Sequence, residues 1–505
     1  YQAVLKNVIK KRNVVVFAFV LILGMTGFFT LSIPTELAPR EDQGIVMIST
    51  KAPQYANIDY MSHYTDETYK LLYENPERHL IFTFAGMTSY NDGFGGLILK
   101  PWSKRKRSSL EIMGEMQGKF SKMTGIQAFA FEPAPLPGSA GGLPIQFVIN
   151  SMADHRVIFQ VMEKLKTEAM KSGLFMVVDS DLNFNNPTLK VEINHAKATQ
   201  MNVSMQDIAS TLALMMGENY VNFFNLYGRS YKVIPMAERS LRMTPENVGN
   251  FYINMADGRQ FPLKTIADIK LETQPNQLYQ FNQINSSTFQ AMPMPHVKMG
   301  DAINFLKNYA KKNLPAGFTY DFLSEARQYV QEGSSLYITF IFAIIIIFLV
   351  LAAQFESLRD PFVIMFSVPM SIFGALFVLF LGTATLNIYS QIGLVTLIGL
   401  ITKHGILIVE FANQLQLEHG RSRTEAIIES ATVRLRPILM TTAAMVVGLV
   451  PLLMAAGAGA SSRFSIGVVI VAGMLIGTAF TIFVVPSFYM LISRPKTQLP
   501  DVSHI

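Results

Sequence analysis

The chain has 505 residues, 50% of them hydrophobic and 15% charged, with a net charge of +6 and no cysteine. Soluble domains carry about 25% charged residues, so an ordinary soluble protein is excluded. The missing cysteine excludes disulfides and thiolate metal sites, and basic residues that cluster beside apolar runs argue against a nucleic-acid partner.

In chain order, Lys6, Lys10, Lys11 and Arg12 precede a first apolar run at residues 14–33. The run is too long for a signal-peptide core, and no small-residue cleavage site follows it, so it reads as a spanning helix. The chain opens on Tyr1 rather than Met, which fits a cut from something longer.

The next 300 residues or so read as soluble protein inserted between apolar regions. A strand at 44–51, a helix at 58–73, strands at 80–84 and 95–100, a helix at 109–123 and a strand at 126–132 follow in turn. That order is a split β-α-β-β-α-β unit. A Pro/Gly connector at 133–142 leads to a second round: strand 145–150, helix 155–171, strands 175–181 and 189–194. Its second half is displaced to a strand at 287–293, a helix at 301–313 and a strand at 318–323. Between them lies an inserted segment, 195–285, with one helix at 204–216 and several strand-like runs. The expected layout is a lead and first span (1–38), a first α+β unit (39–136), a second unit in two parts (137–194 and 286–333) and the insertion (195–285). Five further spans (334–495) and a tail (496–505) complete it.

Those five spans are expected at 336–353, 361–381, 388–411, 438–456 and 465–492, each near the ~20 apolar residues a bilayer needs. In lipid only helices satisfy every backbone group along such segments. Arg359, then Arg421, Arg423, Arg434 and Arg436, then Arg494 and Lys496 lie on one side, whereas "GTATLNIYS" between the third and fourth spans is uncharged. The positive-inside rule puts both termini in the cytoplasm and the large insertion on the opposite side. The connection 414–433 is amphipathic and reads as a linker helix on the cytoplasmic surface.

"GLITKHGILIVEF" (399–411) places Lys403 near the middle of the fourth span. A charge there costs about 2.5–3.5 kcal/mol and defaults to a functional reading. Thr396, Lys403 and Glu410 are spaced by seven and share a helix face. Glu410 lies roughly 10 Å along the axis from Lys403 and cannot pair with it, and no other carboxylate falls within the expected spans. Either Lys403 is neutral by desolvation, or its partner belongs to a part outside this chain. Arg434, Thr441 and Gly448 form a parallel stripe on the fifth span. Alone, Arg434 reads equally as a membrane-flanking anchor and Thr441 as a packing hydroxyl; with Lys403 they read as a polar relay. There is no P-loop, G-x-S-x-G or H-E-x-x-H, so no enzyme, cofactor or metal site is expected. An ion gradient is the energy source left, worth about 2.3 kcal/mol per charge per 100 mV.

"PREDQG" (39–44), "FAG" (84–86) through "LKPW" (99–102), "FAFEPAPLPG", "SLYITFIFAIIIIFLVLAAQFES", "LIGLITKHGILIVEFA" and "RLRPILMTT" are the motifs by which the chain resembles the resistance-nodulation-division family. The likeness is to the C-terminal half of its multidrug-exporting, hydrophobe/amphiphile branch and covers essentially the whole chain. It implies one half of a twelve-span, proton-driven pump, trimeric in the inner membrane of Gram-negative bacteria. The implied partners are an N-terminal half carrying a membrane Asp pair, a periplasmic adaptor, an outer-membrane channel and small amphiphilic drugs. The implied fold is a six-helix membrane bundle with a periplasmic α+β insertion of two porter units and an inserted docking subdomain. Lys403, Arg434 and Thr441 match the proton relay; Phe82, Phe84 and Met47 match the drug pocket; Met87, Phe94, Gly95 and Gly96 fall in the switch loop. His404 stands where the family more often has Asn and reads as packing, with titration the alternative. The loop "MTSYNDGFGG" (87–96) lacks the basic residue of some relatives. Two alternatives stay open: heavy-metal export on the same fold, because 28 methionines offer soft ligands, and a membrane assembly module without transport.

Overall fold

The computed structural model describes residues 1–87, 89–136, 142–254, 258–294 and 297–495. The expected tail and part of the Pro/Gly connector lie outside the described residues.

Helix α1 (Gln2–Lys10) is amphipathic and buries Leu5 and Ile9 against the bundle. It leads into α2 (Arg12–Ser32), apolar all round. The first α+β unit follows as β1 (Ile45–Lys51), α3 (Ile58–Tyr73), β2 (Arg78–Ala85), β3 (Asp92–Leu99), α4 (Ser109–Phe120) and β4 (Gln127–Phe131). Asn57 and Ser108 cap α3 and α4 by accepting backbone N–H groups of Tyr60 and Glu111. The sheet order is β2-β3-β1-β4, every pair antiparallel. Strand alternation puts Val46, Ile48, Leu97 and Leu99 on one face, against Met61, Leu72, Ile112, Met116 and Phe120 of the helices.

The second unit begins with β5 (Ile145–Ser151), α5 (His155–Lys171) and β6 (Phe175–Ser180). Next comes the inserted segment: β7 (Asn186–Ile193), α6 (His195–Gln200), α7 (Met205–Met216), β8 (Asn222–Leu226), β9 (Arg229–Val233), α8 (Pro245–Gly249), β10 (Tyr252–Asn254), β11 (Gln260–Pro262) and β12 (Ala267–Gln274). The chain returns through β13 (Tyr279–Phe281), β14 (Ile284–Pro293), α9 (Met299–Asn313) and β15 (Phe318–Leu323). Here β6 pairs β14, β14 pairs β5 and β5 pairs β15, the same 2-3-1-4 order as the first sheet.

This corrects one expectation. The strand expected at 189–194 does not join the second unit's sheet; as β7 it pairs with β12 in a two-stranded ribbon leading into the inserted segment. The residues Leu189, Val191 and Ile193 pack on the insertion's own core, around Ile208, Phe251 and Leu263. Alternation sets a strand's faces but not its partner. In the insertion, β8 and β9 form a hairpin closed by Tyr227 and Gly228, both with positive φ, as a two-residue primed turn requires.

From β15 the chain passes straight into α10 (Ser324–Phe355), which starts well before the expected span at 336. Then come α11 (Arg359–Met365), α12 (Ser367–Phe380), α13 (Ile388–His419), α14 (Arg423–Leu453) and α15 (Ala460–Ile492). Among the described residues, six helical segments are long and apolar enough to cross a membrane, α11 and α12 counting as one. The separate linker helix expected at 414–433 is not formed. Gly420, in the left-handed region at φ 58°, ends α13, and Ser422 with Glu425 starts α14 by a capping box.

One buried carboxylate stands just before the third expected span: Asp360 is 1% exposed in the first turn of α11. Asn413 Nδ2 donates to it at 3.0 Å and Ser493 Oγ at 3.3 Å; Tyr489 OH donates to Asn413 Oδ1 at 2.6 Å, and Gln416 Nε2 donates to Tyr489 OH at 2.6 Å. This network ties the ends of α13 and α15 to the start of α11.

Candidate functional site in the membrane helices and on the first sheet

Helix α13 meets α12, α14 and α15 over most of its circumference, and its seven-residue stripe is what remains uncovered. Thr396, Lys403 and Glu410 are all exposed, while Leu397, Ile401 and Ile408 are buried. Lys403 has no hydrogen bond or ion pair among the described residues, and neither has Glu410. Lys403 is therefore not buried within these helices. On α14, Arg434 and Thr441 are half-buried beside an apolar strip in which Met440 is 72% and Val447 68% exposed. The guanidinium of Arg434 stacks over the Phe411 ring at 4.4 Å, and its buried Nε has no partner among the described residues. Thr441 Oγ1 donates to Ile438 O at 3.1 Å. Only 11% of the apolar window of α14 is buried, against 61% for α15. The polar stripe thus lies on an uncovered flank of the bundle.

His404, next to Lys403, is fully buried. Its Nε2 lies 3.3 Å from Thr442 Oγ1 and its Nδ1 3.3 Å from Thr478 Oγ1. Thr442 donates its own proton to Ile438 O at 2.9 Å, so it can accept from Nε2–H; Thr478 can then donate to Nδ1. Neutral His404 saturates this site and joins α13, α14 and α15. The packing expectation for His404 holds, and Thr442 and Thr478 are the partners that sequence alone did not single out.

In the first unit, Phe82, Phe84 and Met47 share the sheet face opposite the helices. Phe82 lies 5.9 Å from Phe84 and 6.3 Å from Phe94, centroid to centroid. Register pairs Phe82 with Gly96, Phe84 with Phe94 and Met47 with both Gly96 and Phe131. Three of the four switch-loop assignments change place. Phe94, Gly95 and Gly96 belong to β3 rather than to a loop, and the connection between β2 and β3 is 86–91, with Met87 exposed on it. The glycines look like loop because they lack side chains, but the sheet needs that room: a Cβ at Gly96 would stand 2.5 Å from Phe82 Cζ. Phe129 and Phe131 extend the aromatic face and pack on Leu143, Val177 and Met292 of the second unit. Alternation in "IQAFAFE" carried that signal, unread. Lys51 pairs with Asp179 across the two units, beside a cavity of ≈ 390 Å³ lined also by Gln54, Gln127 and Asn183.

Among the described residues, six helices long and apolar enough to cross a membrane, a charged stripe without partners on one flank and a duplicated α+β head point to a polytopic membrane protein of the transporter class. The chain belongs to the AcrB/AcrD/AcrF family of resistance-nodulation-division transporters, whose profile it matches over residues 1–493. It is 43% identical over 507 residues to an uncharacterised transporter of Haemophilus influenzae, covering 99% of this chain and 49% of that protein. It is 32% identical to multidrug resistance protein MdtF of Escherichia coli, covering 93% of this chain and 46% of that protein. Toluene efflux pump membrane transporter TtgB of Pseudomonas putida is 30% identical, with 98% of this chain and 48% of that protein covered. The chain spans about half the length of the curated relatives it matches.

Proposed function

We propose that this chain is the C-terminal half of a proton-driven multidrug efflux transporter that exports amphiphilic compounds from periplasmic pockets to an outer-membrane channel. The observation that carries the reading is Lys403, at the midpoint of α13, exposed and unpaired on an uncovered flank. An unpartnered ammonium at that depth is costly in a bilayer, and the N-terminal half's Asp pair supplies an anionic partner. Protonation of that pair releases Lys403; deprotonation draws it back. Arg434 and Thr441 are further members of the relay. The aromatic face of Phe82, Phe84 and Phe94 with Met47 receives apolar substrate, and the 86–91 connection carrying Met87 gates it. Gly96 gives the ring of Phe82 its place, and Gly95 lets the β2 backbone approach closely.

In this reading both termini are cytoplasmic, the α+β units are porter subdomains in the periplasm, and the inserted segment docks to the adaptor and channel. The assembly is a homotrimer in the inner membrane. The test is Lys403→Ala in the complete transporter: export is lost while expression and thermal melting are kept. Full drug resistance in that variant would sink the proposal.

A further inference from the structure

The segment between α2 and β1 touches both the membrane helices and the first unit. Glu41 is 7% exposed and caps α15: its Oε1 accepts from Ser462 N–H at 2.6 Å and from the Ser462 hydroxyl, and its Oε2 accepts from Ser461 N–H at 3.3 Å. The next residue, Asp42, turns the other way. It accepts from Gly44 N–H at 3.0 Å, from Ser109 N–H at the start of α4 at 3.1 Å, and from Arg105, whose side chain is 2% exposed. Trp102 Nε1 donates to Asp42 O at 3.1 Å. The Trp102 ring also lies against the turn before α15, where a Cβ on Gly457 would meet it at 3.6 Å. The hydrogen bonds from Arg105, Ser109 and Gly44 more than offset the burial that pushes the Asp42 carboxyl up, and hold it below the usual range.

Two consecutive carboxylates therefore grip two bodies. One holds the N-terminus of a membrane helix, and the other holds the first turn of a helix that backs the aromatic sheet. One peptide bond separates them, so their Cα atoms stay about 3.8 Å apart whichever body moves. The gripped helix also carries Thr478, which contacts His404 beside Lys403. We propose that Glu41 and Asp42 are positioning residues forming the joint through which displacement of α15 moves the first α+β unit. This deepens the proton-driven reading and rests on it.

The test uses the complete transporter in liposomes, with dissipation of an imposed pH gradient and export of a lipophilic cationic dye measured in the same vesicles. Glu41→Ala is expected to lower dye export about tenfold or more while gradient dissipation stays near the parental level. Asp42→Ala gives the same split. Unchanged export overturns the joint. A parallel fall of both fluxes in protein with a parental melting curve also overturns it, because the residues then serve the proton step. If Glu41→Ala fails to fold, Glu41→Gln keeps length and an acceptor oxygen but loses the charge, and an unchanged ratio of export to dissipation there overturns the joint. Lys403→Ala distinguishes the two ideas: it abolishes both fluxes if the relay reading holds, and normal export in it sinks the relay alone.

Discussion

Lys403 and His404 are chain neighbours that face opposite ways, the first exposed on the flank of the bundle and the second fully buried among three helices. The buried residue sets the rotation of α13 and thereby aims the exposed one. His404 fills this role because a neutral imidazole offers one donor and one acceptor, and the site presents one hydroxyl for each.

His404→Leu therefore leaves Thr478 without its acceptor and costs about 1–3 kcal/mol. His404→Asn keeps a donor and an acceptor and is expected to recover most of that loss. Thermal melting of the detergent-solubilised protein reads both, and equal melting of the Leu variant and the parent refutes the role.

Tyr489→Phe removes the hydroxyl that donates to Asn413 and accepts from Gln416. Burial of Asn413 Oδ1 without that donor costs about 1–3 kcal/mol. The loss appears as a lower melting temperature, with no change in the reactivity of Lys403 toward an amine reagent.

The two glycines of β3 separate stability from specificity. A Cβ at Gly95 would stand 2.9 Å from Phe82 O, a backbone atom that cannot swing aside; at Gly96 it meets the end of the Phe82 ring and Met47 Sδ at 3.4 Å. Gly95→Ala is expected to lower stability. Gly96→Ala displaces the ring instead, so dye binding to the complete transporter changes more than melting does. The reverse pattern would contradict the placement of the aromatic face.

Glu325, in the first turn of α10, tests the boundary between the second unit and the membrane. Burial pushes its carboxyl from 4.5 up to about 7, with Arg40 pulling the other way. The folded state then holds a proton that the unfolded state has lost, so stability falls as pH rises from about 4.5 to about 7 and is flat beyond. Glu325→Gln removes that slope and raises stability above pH 7. A parental slope in the variant assigns it to another group.

Much of this architecture was legible in the residues. The helices Ile58–Tyr73 and His155–Lys171 form at the bounds expected from their periodicity. Asx and Ser caps mark several starts, and hydropathy finds the spans because lipid allows no other backbone. The seven-residue spacing of Thr396, Lys403 and Glu410 places them on one face, as it must in any α-helix.

Other features depended on what came together in space. Alternation made β7 a strand but did not say that its partner is β12, because pairing is decided by which edge is free when the units pack. A glycine run looks like loop until the neighbouring Phe82 shows that its room is occupied. The junction at 414–433 looked like one amphipathic helix until Gly420 turned left-handed. The composition and periodicity of this chain thus determined which segments are apolar and long enough to span, which stretch folds as α+β units and where a charge interrupts an apolar helix, since those follow from local transfer free energies. The tertiary structure decided which flank stays uncovered, what His404 and Asp360 bond to, and how Glu41 and Asp42 bridge two bodies, since these are contacts between residues far apart in the chain.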